Sequence, residues 1–381
     1  MRIGLITGEY PPMQGGVGAY SRILADELAR LGHAVHVLSS RQALNDEPAI
    51  SLSPSIDRWN ISSLRTIRAW ARDLHLEVVN LQFQTAAYTM SPWVHFLPEA
   101  LGAVPLVTTF HDLRFPYLFP KAGPLRDWIV RRLARASRGV IVTNHEDQER
   151  LRGLPRLALI PIGSNILADL PAGFDPQPWR THAGAQNGDF LLVYFGLFNH
   201  SKGIEDLLAA LAALREDGQP ARLALVGGGA GSSDPTNAAF MDAMQARIHE
   251  LALEPFIHRT GYLDETAVGA HLAAADAVVL PFRDGASYRR GSLMAAVHYG
   301  CAIITTTPQV NIPAFVDGEN MRLVPPGDPA ALARALRDLR QQPEQAARLR
   351  QGAAALADQF HWQAIAQSAA DFFCQVVAER P

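Results

Sequence analysis

Short apolar runs along the chain alternate with longer segments in which apolar residues recur every three to four positions. The run at 3–7 leads through a glycine-rich loop to a helical pattern at 19–31 and a second run at 34–38. Strand, helix and strand in this order form the unit of a doubly wound parallel sheet. The plan repeats after residue 189. The pattern therefore predicts an α/β protein with two doubly wound, Rossmann-like domains that face each other across a cleft.

The predicted boundary between the domains is a stretch rich in proline and glycine. It covers 171–188 and contains Pro171, Pro176 and Pro178, a composition typical of linkers. We therefore expect an N-terminal domain over 1–170 and a C-terminal domain over 189–361. In the N-terminal half, the stretch 40–60 is polar and rich in turn-forming residues.

Composition limits the class of protein. A chain of 381 residues with 48% apolar residues is long enough for two cores, and a net charge of −3 argues against nucleic-acid binding by bulk charge. Cys301 and Cys374 lie far apart, which is neither a disulfide framework nor a zinc pattern and fits a reducing cytoplasm. The first residues lack the pattern of a signal peptide, and no apolar run reaches 18 residues, so no transmembrane helix is predicted.

A phosphate site is predicted in the second half. An apolar run at 278–280, a polar turn and a helical pattern from 293 indicate a strand, a loop and a helix. The residues directly before the helical run are Tyr288, Arg289, Arg290, Gly291 and Ser292. A helix N-terminus offers free N–H groups to an anion, and arginine offers a planar set of donors. Because first-turn cations oppose the helix dipole unless an anion is bound, the pattern favours phosphate; the alternative is that both arginines are solvated.

Two features of the first half indicate a ligand at the carboxyl ends of strands. His111 and Asp112 follow the predicted strand at 105–109, at the edge where doubly wound sheets bind ligands. The imidazole can bond sugar hydroxyls or carry a proton; alternatively, Asp112 satisfies it locally. Gly15 and Gly16 permit close approach of the backbone to a ligand, or only a tight turn. The fingerprint G-x-G-x-x-G is absent, which argues against a nicotinamide or flavin site.

Two predicted helices carry arginine stripes. Arg65, Arg68 and Arg72 share one face of the helix at 62–74. The helix at 124–138 has a similar stripe, formed by Arg131, Arg135 and Arg138. Such stripes are usually solvated faces of scaffold helices. The alternative is peripheral contact with an anionic membrane surface through these arginines and Trp70.

The chain resembles the family 4 glycosyltransferases of the GT-B fold, which are retaining and use nucleotide sugars. The resemblance covers nearly the whole chain and keeps the order of the family's motifs. The matching segments are Pro11-Pro12 with Gly15-Gly16-Val17-Gly18, His111-Asp112, Ile160-Pro161-Ile162-Gly163, Gly196 through Lys202-Gly203, and Gly318-Glu319-Asn320 with Leu323-Val324-Pro325-Pro326-Gly327-Asp328. Each motif alone is weakly specific, whereas their order and spacing together indicate the fold.

The resemblance implies roles for the matching residues. Gly15 and Gly16 would approach the donor diphosphate, His111 would contact the donor sugar, and Lys202 would neutralise the leaving diphosphate. The terminal helix at 362–381 would pack back on the N-terminal domain. The predicted catalytic residues are His111, Lys202 and Asp284. The predicted donor-binding residues are Gly15, Gly16, Gly196, Lys202, Ser287, Tyr288, Arg289, Arg290, Gly291 and Ser292. No metal is implied, and no other cofactor is expected.

Two departures from the family pattern stand out. The family has arginine five residues before the lysine, where this chain has Leu197. We expect Arg289 or Arg290 to replace that cation. The family's E-x7-E pair is also absent: counting back from Gly300 places it at Ser287 and Ala295.

Counting forward from Pro281 places the first glutamate of that pair at Gly285, and Asp284 is the nearest carboxylate. Ser287 or Asp284 would take over part of the first glutamate's role. No residue is an evident substitute for the second.

The favoured function is transfer of a sugar from a nucleotide diphosphate sugar, of UDP or GDP type, to a hydroxyl with retention. The acceptor would be a glycan, a lipid-linked sugar or a small molecule, and the setting cytoplasmic, with peripheral contact at the inner membrane face. One alternative is an inactive GT-B protein that binds nucleotide or glycan. Another is a sugar-nucleotide epimerase or hydrolase that uses Asp284, Glu9 or Asp112.

Overall fold

The structure, a computed structural model, describes residues 1–13, 15–44, 47–113, 123–227 and 235–379, without the side chains of 123–126 and 235–239. The chain divides into two compact units. Unit 1 is Met1–Asn165 together with His361–Pro381, and unit 2 is Ile166–Phe360. Each unit is a parallel sheet with helices, so the predicted pair of Rossmann-like α/β domains is confirmed.

The sheet of unit 1 contains seven strands in the part of the chain that the structure describes. They are β1 (Arg2–Thr7), β2 (Ala34–Ser40), β3 (Ile50–Ile56), β4 (Val78–Phe83), β5 (Leu106–Phe110), β6 (Gly139–Val142) and β7 (Leu157–Leu159). Their order is β3-β2-β1-β4-β5-β6-β7, and all the pairs are parallel. The strand order reverses between β1 and β4, which is where doubly wound sheets place ligands.

One strand of unit 1 lies in the stretch whose composition favours turns. β3 has the sequence ISLSPSI and pairs with β2 at the edge of the sheet. Serine and proline obscure its alternation of polar and apolar residues. Pro54 is tolerated because an edge strand has one side on which its missing N–H is not needed.

Among the helices of unit 1 before residue 165, those at 16–30, 61–73 and 123–136 lie close to predicted positions, and the one at 97–101 was not predicted. The helices are α1 (Gly16–Arg30), α2 (Ile61–Asp73), α3 (Leu97–Leu101), α4 (Gly123–Ala136) and α5 (His145–Arg150). Asn60 caps α2 by accepting from the N–H groups of Ser62 and Ser63, which is the usual way to satisfy the first turn of a helix.

The sheet of unit 2 has six strands among the described residues. They are β8 (Phe190–Phe195), β9 (Ala221–Val226), β10 (Ile257–Gly261), β11 (Ala277–Leu280), β12 (Ile303–Thr306) and β13 (Arg322–Val324). The order β10-β9-β8-β11-β12-β13 is again parallel throughout. Here the reversal falls between β8 and β11, so the loops after these two strands share one edge.

The helices that follow the strands of unit 2 complete its layers. They are α6 (Gln177–His182), α7 (Ile204–Glu216), α8 (Pro235–Glu250), α9 (Glu265–Ala274), α10 (Gly291–His298), α11 (Pro329–Gln341) and α12 (Pro343–Ala357). α6 lies in the stretch 171–188, which was expected to be a linker. In the structure this stretch belongs to unit 2, and Arg180 of α6 binds the Asp276 carboxylate at 2.9 Å.

The helix α13 (Trp362–Ala378) belongs to unit 1. It packs against α1, and its Val376 and Phe372 lie 2.8 and 2.9 Å from where a Cβ on Gly139 would be. Glycine at the start of β6 therefore makes room for α13. Arg156 forms an ion pair with Glu379 just beyond the helix.

Candidate functional site

In unit 1, His111 lies directly after β5, at the carboxyl edge of the sheet. Its backbone N–H donates to Phe83 O at 3.0 Å, which continues the pairing of β5 with β4. The ring Nε2 lies 2.8 Å from Gln82 Oε1. The edge of the Tyr20 ring packs on the imidazole with centroids 4.6 Å apart, and Trp362 packs on Tyr20. The ring's hydrogen bond therefore goes to Gln82 and not to Asp112.

The His111 imidazole is neutral at physiological pH. It keeps part of its surface in contact with solvent, but protein atoms surround it closely. This burial lowers the pKa of His111 to about 3, with no charged neighbour contributing. The side chain is therefore suited to hydrogen bonding with a hydroxyl, and not to holding a positive charge.

Buried amides behind His111 form a chain that the sequence analysis missed. Gln82 Nε2 donates to Asn80 Oδ1, and Asn80 Nδ2 donates to Val107 O at 3.1 Å and to Thr109 Oγ1 at 2.9 Å. Asn80 and Gln82 are fully buried in β4. A signal was present, because a parallel strand buried on both faces normally reads as continuous apolar residues and VVNLQF does not.

The glycine loop brings a carboxylate to the start of α1. Gly15 caps this helix, and a Cβ at Gly15 would lie 1.9 Å from Glu9 Oε2. Gly16 has open space at the same point. Burial raises the pKa of Glu9. Glycine at 15 therefore leaves room for the Glu9 carboxylate, while Gly16 presents an unobstructed backbone.

A cavity of about 740 Å³ opens at the carboxyl edge of the unit 1 sheet. It lies beyond the ends of β1, β2 and β3. Its wall includes Gly8, Met13, Ser40, Arg41, Ile56, Asp57, Arg58, Trp59, Asn60, Thr89, Met90 and Trp93. Apolar and hydrogen-bonding groups share the wall, and the volume is within the range of small-molecule sites.

In unit 2, two cations lie over a single aromatic ring. Lys202 Nζ is 5.2 Å from the centroid of the Phe282 ring, and Arg290 Cζ is 4.8 Å from the same centroid. Asp284 forms an ion pair with Arg290. These contacts concentrate positive charge at the end of β11, where the sheet order reverses.

The position of Lys202 depends on the glycine that follows it. Gly203 has φ +67°, and a Cβ there would lie 1.9 Å from Pro281 O. Only glycine allows this contact without displacing the backbone. The loop before α7 is thereby held against the end of β11. Arg283 adds a second link, binding both Asp206 carboxylate oxygens at 3.2 and 3.3 Å.

The Lys202 ammonium titrates near physiological pH. Burial and, after it, the nearby Arg290 lower the pKa of Lys202 to about 8, while Asp284 opposes the shift. An anion bound at this point would stabilise the charged form. The site is therefore poised to gain positive charge when it binds an anion.

The start of α10 faces the end of β8, as the anion-site prediction requires. The helix begins at Gly291, with Arg290 at the N-cap. A Cβ at Gly196, where φ is +140°, would lie 3.8 Å from Ser292 Oγ. Gly196, Gly291 and Ser292 are thus neighbours, and the first N–H groups of α10 have no partner within the helix.

The other residues of this loop have different surroundings. Tyr288 was predicted to bind donor, but its ring is buried between Phe315 and Phe360, with centroids 5.3 and 5.0 Å away. Ser287 is buried and accepts weakly from the Arg289 N–H at 3.5 Å. Tyr288 therefore anchors the loop to the core of unit 2, because its aromatic partners come from elsewhere in the chain.

The two departures from the family pattern also have clear positions. Leu197 is 56% exposed, so the side chain at the expected arginine position lies in solvent. Ala295 is fully buried in α10. Of the two arginines expected to replace the missing cation, Arg290 is the one that shares the Phe282 ring with Lys202.

Trp70, the aromatic residue that was expected to contact lipid beside the α2 arginines, is not available to a membrane. Trp70 is buried, whereas Ile61 and Trp128 are 57% and 58% exposed. Arg65 and Arg68 are exposed on α2. The side chain that was expected to contact lipid with the α2 stripe therefore belongs to the core.

Among the residues that the structure describes, no group of three or more His, Cys, Asp or Glu side chains is arranged to hold a metal ion. No described helix is both long enough and apolar enough to span a bilayer.

Comparisons with known proteins match both units. The family "Glycosyltransferase Family 4" matches residues 14–165, and "Glycosyl transferases group 1" matches residues 189–342. The chain is 27% identical over 430 residues to glycogen synthase of Mycobacterium tuberculosis, covering 98% of this chain and 94% of that protein. It is 27% identical over 356 residues to phosphatidyl-myo-inositol mannosyltransferase of Mycobacterium leprae, covering 88% and 86%.

Solved structures share the whole fold. Sucrose-phosphate synthase from Thermosynechococcus elongatus superposes with a TM-score of 0.77 at 21% identity, covering 99% of each chain. Anabaena Alr3699/HepE in complex with UDP gives 0.78 at 18% identity, covering 98% of this chain and 100% of that one. The chain belongs to the group 1 and family 4 glycosyltransferases, and it is an enzyme of the GT-B fold.

Proposed function

We propose that the protein transfers a sugar from a nucleotide diphosphate sugar to an acceptor hydroxyl with retention of configuration. The single observation that carries the proposal is the pair of cations, Lys202 and Arg290, over the Phe282 ring beside one carboxylate. When the sugar leaves, negative charge grows on the diphosphate, and preorganised cations stabilise that charge. The site needs no resident metal for this step.

Arg290 takes the place of the arginine that the family has at the position of Leu197. Its guanidinium lies over the same Phe282 ring as the Lys202 ammonium, which it reaches from the start of α10. Its side chain is 14% exposed. The N–H groups at Gly291 and Ser292 add the helix dipole to the same anion site. Two elements of unit 2, the loop before α7 and the start of α10, thus supply the cations and the N–H groups for one diphosphate.

The donor is of UDP or GDP type. A solved structure of the same fold is a complex with UDP, and another is a complex with UDP-glucose. The relatives named glycogen synthase and mannosyltransferase handle different sugars. The two complexes support the donor class, and the names of the relatives leave the choice of sugar to experiment.

The acceptor binds at the carboxyl edge of unit 1. The cavity of about 740 Å³ there combines the Trp59 and Trp93 rings with hydrogen-bonding side chains. Sugars present both apolar faces and hydroxyls, so this mixed wall suits a glycan, a lipid-linked sugar or a small glycoside. His111, neutral and held by Gln82, positions a sugar hydroxyl.

Peripheral contact with an anionic membrane on the cytoplasmic side is part of the proposal. Ile61, Arg65 and Arg68 are exposed on α2, and Trp128 is exposed on α4. Basic residues near such a surface contribute about 1 kcal/mol each. Arg65→Glu with Arg68→Glu should abolish co-sedimentation with phosphatidylserine vesicles. Unchanged binding of the double variant would contradict the membrane contact and leave the rest of the proposal intact. Equal binding of the wild type to phosphatidylcholine vesicles would have the same meaning.

The donor is tested by thermal stabilisation with UDP, GDP, ADP, TDP and CMP at equal concentration. A ligand at about 100 times its Kd adds about 2.7 kcal/mol to the free energy of unfolding. We expect one nucleoside diphosphate to stabilise the wild type. Lys202→Ala and Arg290→Ala should each weaken its binding by roughly 1.5–3 kcal/mol. Arg334→Ala, an exposed arginine on α11, is the matched control.

Two results would contradict the proposal. The first is that no nucleotide stabilises the wild type, and the second is that Lys202→Ala and Arg290→Ala both bind like the control. Once a donor is known, NMR of the product's anomeric proton establishes whether configuration is retained. A product with the inverted anomer would exclude the retaining mechanism and leave donor binding intact.

A further inference from the structure

Asn80 and Gln82 of β4 form a buried polar pair behind His111. They are two residues apart and therefore lie on the same face of the strand. β5 runs alongside, with Asn80 opposite Val107 and Gln82 opposite Thr109. His111 is two residues beyond Thr109, so it continues this face. All four neighbours of His111 in this row are fully or almost fully buried.

The hydrogen-bond partners fix the orientation of each amide. Val107 O is a carbonyl that can only accept, so the Asn80 side chain must direct its NH₂ toward it at 3.1 Å. Asn80 Oδ1 is then the acceptor for Gln82 Nε2. This leaves Gln82 Oε1 facing His111, 2.8 Å from Nε2. Since Oε1 can only accept, the imidazole Nε2 must carry the proton.

We infer that Gln82 is a positioning residue, which fixes His111 as the Nε2–H tautomer and leaves its Nδ1 lone pair to accept a hydrogen bond from a substrate hydroxyl. The proton position is set by a buried peptide carbonyl two amides away. The use of Nδ1 rests on the proposed function of His111 at the sugar. The tautomer itself does not depend on that function.

The surroundings of the ring support a neutral imidazole. Gln82 faces it from β4, Tyr20 from α1, and Asp112 is its neighbour in the chain. Burial raises the pKa of Tyr20, so that phenol stays neutral. Burial is also the only cause that shifts the pKa of His111, and it favours the uncharged ring. A single tautomer is expected across the physiological range.

The tautomer is tested by ¹H–¹⁵N long-range correlation spectra of the full chain with ¹⁵N-labelled histidine. His111→Asn assigns the signals. We expect His111 to show a protonated Nε2 and an unprotonated Nδ1, unchanged from pH 5 to pH 8. A protonated Nδ1, or titration with a midpoint in that range, would overturn the inference. This readout needs neither substrate nor activity.

The role of Gln82 is tested by Gln82→Met, which keeps the length of the side chain and removes the amide. We expect the His111 signals to change to a mixture of both tautomers. A mixture of tautomers would leave part of the molecules without the hydrogen bond to the sugar hydroxyl, so kcat should fall about two- to tenfold. Donor KM should change by less than about threefold. Gln363→Met, an exposed glutamine on α13, is the matched control.

The outcomes separate the inference from the proposed function. If Gln82→Met keeps the single Nε2–H tautomer, or keeps wild-type kcat, Gln82 does not position the ring. If the tautomer is as inferred but no sugar transfer is found, the proposed function fails and the assignment of the proton stands. If Gln82→Met does not fold, the wild-type spectrum still decides whether the proton lies on Nε2.

Discussion

The carboxyl edges of the two sheets have the same strand–helix plan, but their candidate site residues differ in charge. In unit 1, His111 is uncharged and contacts the Gln82 amide, which in turn donates to the Asn80 amide. In unit 2, Lys202 and Arg290 share one ring beside Asp284. A neutral, oriented group suits hydroxyl recognition, whereas clustered cations suit a diphosphate. The fold provides the edge, and under the proposed function the loop residues determine which part of the substrate each unit binds.

The largest effect that we expect from this difference between the two units is the pH dependence of nucleotide binding. Burial lowers the pKa of Lys202 to about 8. The ammonium is lost above that pH, so affinity for a nucleoside diphosphate should fall by up to about tenfold per pH unit above 8. Calorimetric titration at pH 7, 8, 9 and 9.5 measures this. Lys202→Arg stays charged, and its affinity should vary little. Equal slopes for both proteins would show that Lys202 does not carry the effect.

A smaller effect is expected from Asp284, which competes with the nucleotide for Arg290. A partly exposed ion pair is worth up to about 1 kcal/mol, so Asp284→Asn should bind nucleoside diphosphate up to about fivefold more tightly. If Asp284 also acts on the sugar, kcat should fall at the same time. Asp338→Asn on α11 is the control. Weaker nucleotide binding by Asp284→Asn would mean that the carboxylate supports the site.

Truncation in unit 1 should affect acceptor use alone. Trp93 is 37% exposed at the cavity wall. Trp93→Ala should raise the acceptor KM about fivefold, corresponding to about 1 kcal/mol of lost aromatic contact. Thermal stabilisation by nucleotide should stay unchanged. The test uses whichever soluble glycoside supports turnover. A loss of nucleotide binding would contradict the division of labour between the units.

A separate effect, on stability and not on substrate binding, concerns a buried histidine that lacks a hydrogen bond like the one between His111 and Gln82. Burial first, then His182 and His258, lower the pKa of His271 to about 4. Neither ring nitrogen of His271 has a hydrogen-bond partner in the described part of the chain. The unfolded chain binds the proton more readily, so this group's contribution to stability is present above pH 6.5 and is lost as pH falls toward 4.

His271→Phe should therefore flatten the pH dependence of stability. Urea unfolding at pH 8 and pH 5 should show a drop that is smaller than in the wild type by about 1–2 kcal/mol. His249→Phe, at a side chain that is 85% exposed, is the comparison. An unchanged drop in His271→Phe would show that His271 is protonated in the folded protein as readily as in the unfolded chain.

The sequence was sufficient for the plan of the fold because buried parallel strands produce short apolar runs between amphipathic helices. Strands β1, β2 and β11 and helix α2 were predicted within a residue or two. β3 was missed, because serine and Pro54 at a sheet edge resemble a loop. α6 was missed because Pro176 and Pro178 at its start are typical of linkers as well as of helix N-termini.

The candidate site was predictable where it depends on local order and not where it depends on packing. The position of Arg290 before a helix indicated an anion site. That Arg290, and not Arg289, shares the Phe282 ring depends on the backbone path of the loop. Tyr288 lies in the core because Phe315 and Phe360, distant in sequence, pack on it. The polar residues of β4 were visible in the sequence, but the contact of Gln82 with His111 was missed because it depends on how β4 pairs with β5.

The return of α13 to unit 1 has a consequence for biosynthesis. Unit 1 is built from two segments, and all of unit 2 is translated between them. At about 5–20 residues per second, the ribosome needs about 10–40 s to make the intervening chain. Until then Tyr20 lacks Trp362, and Gly139 faces solvent where α13 will pack. Unit 2 is continuous and can fold as it emerges, so the nascent protein can form the Lys202 and Arg290 pair before the surroundings of His111 are complete.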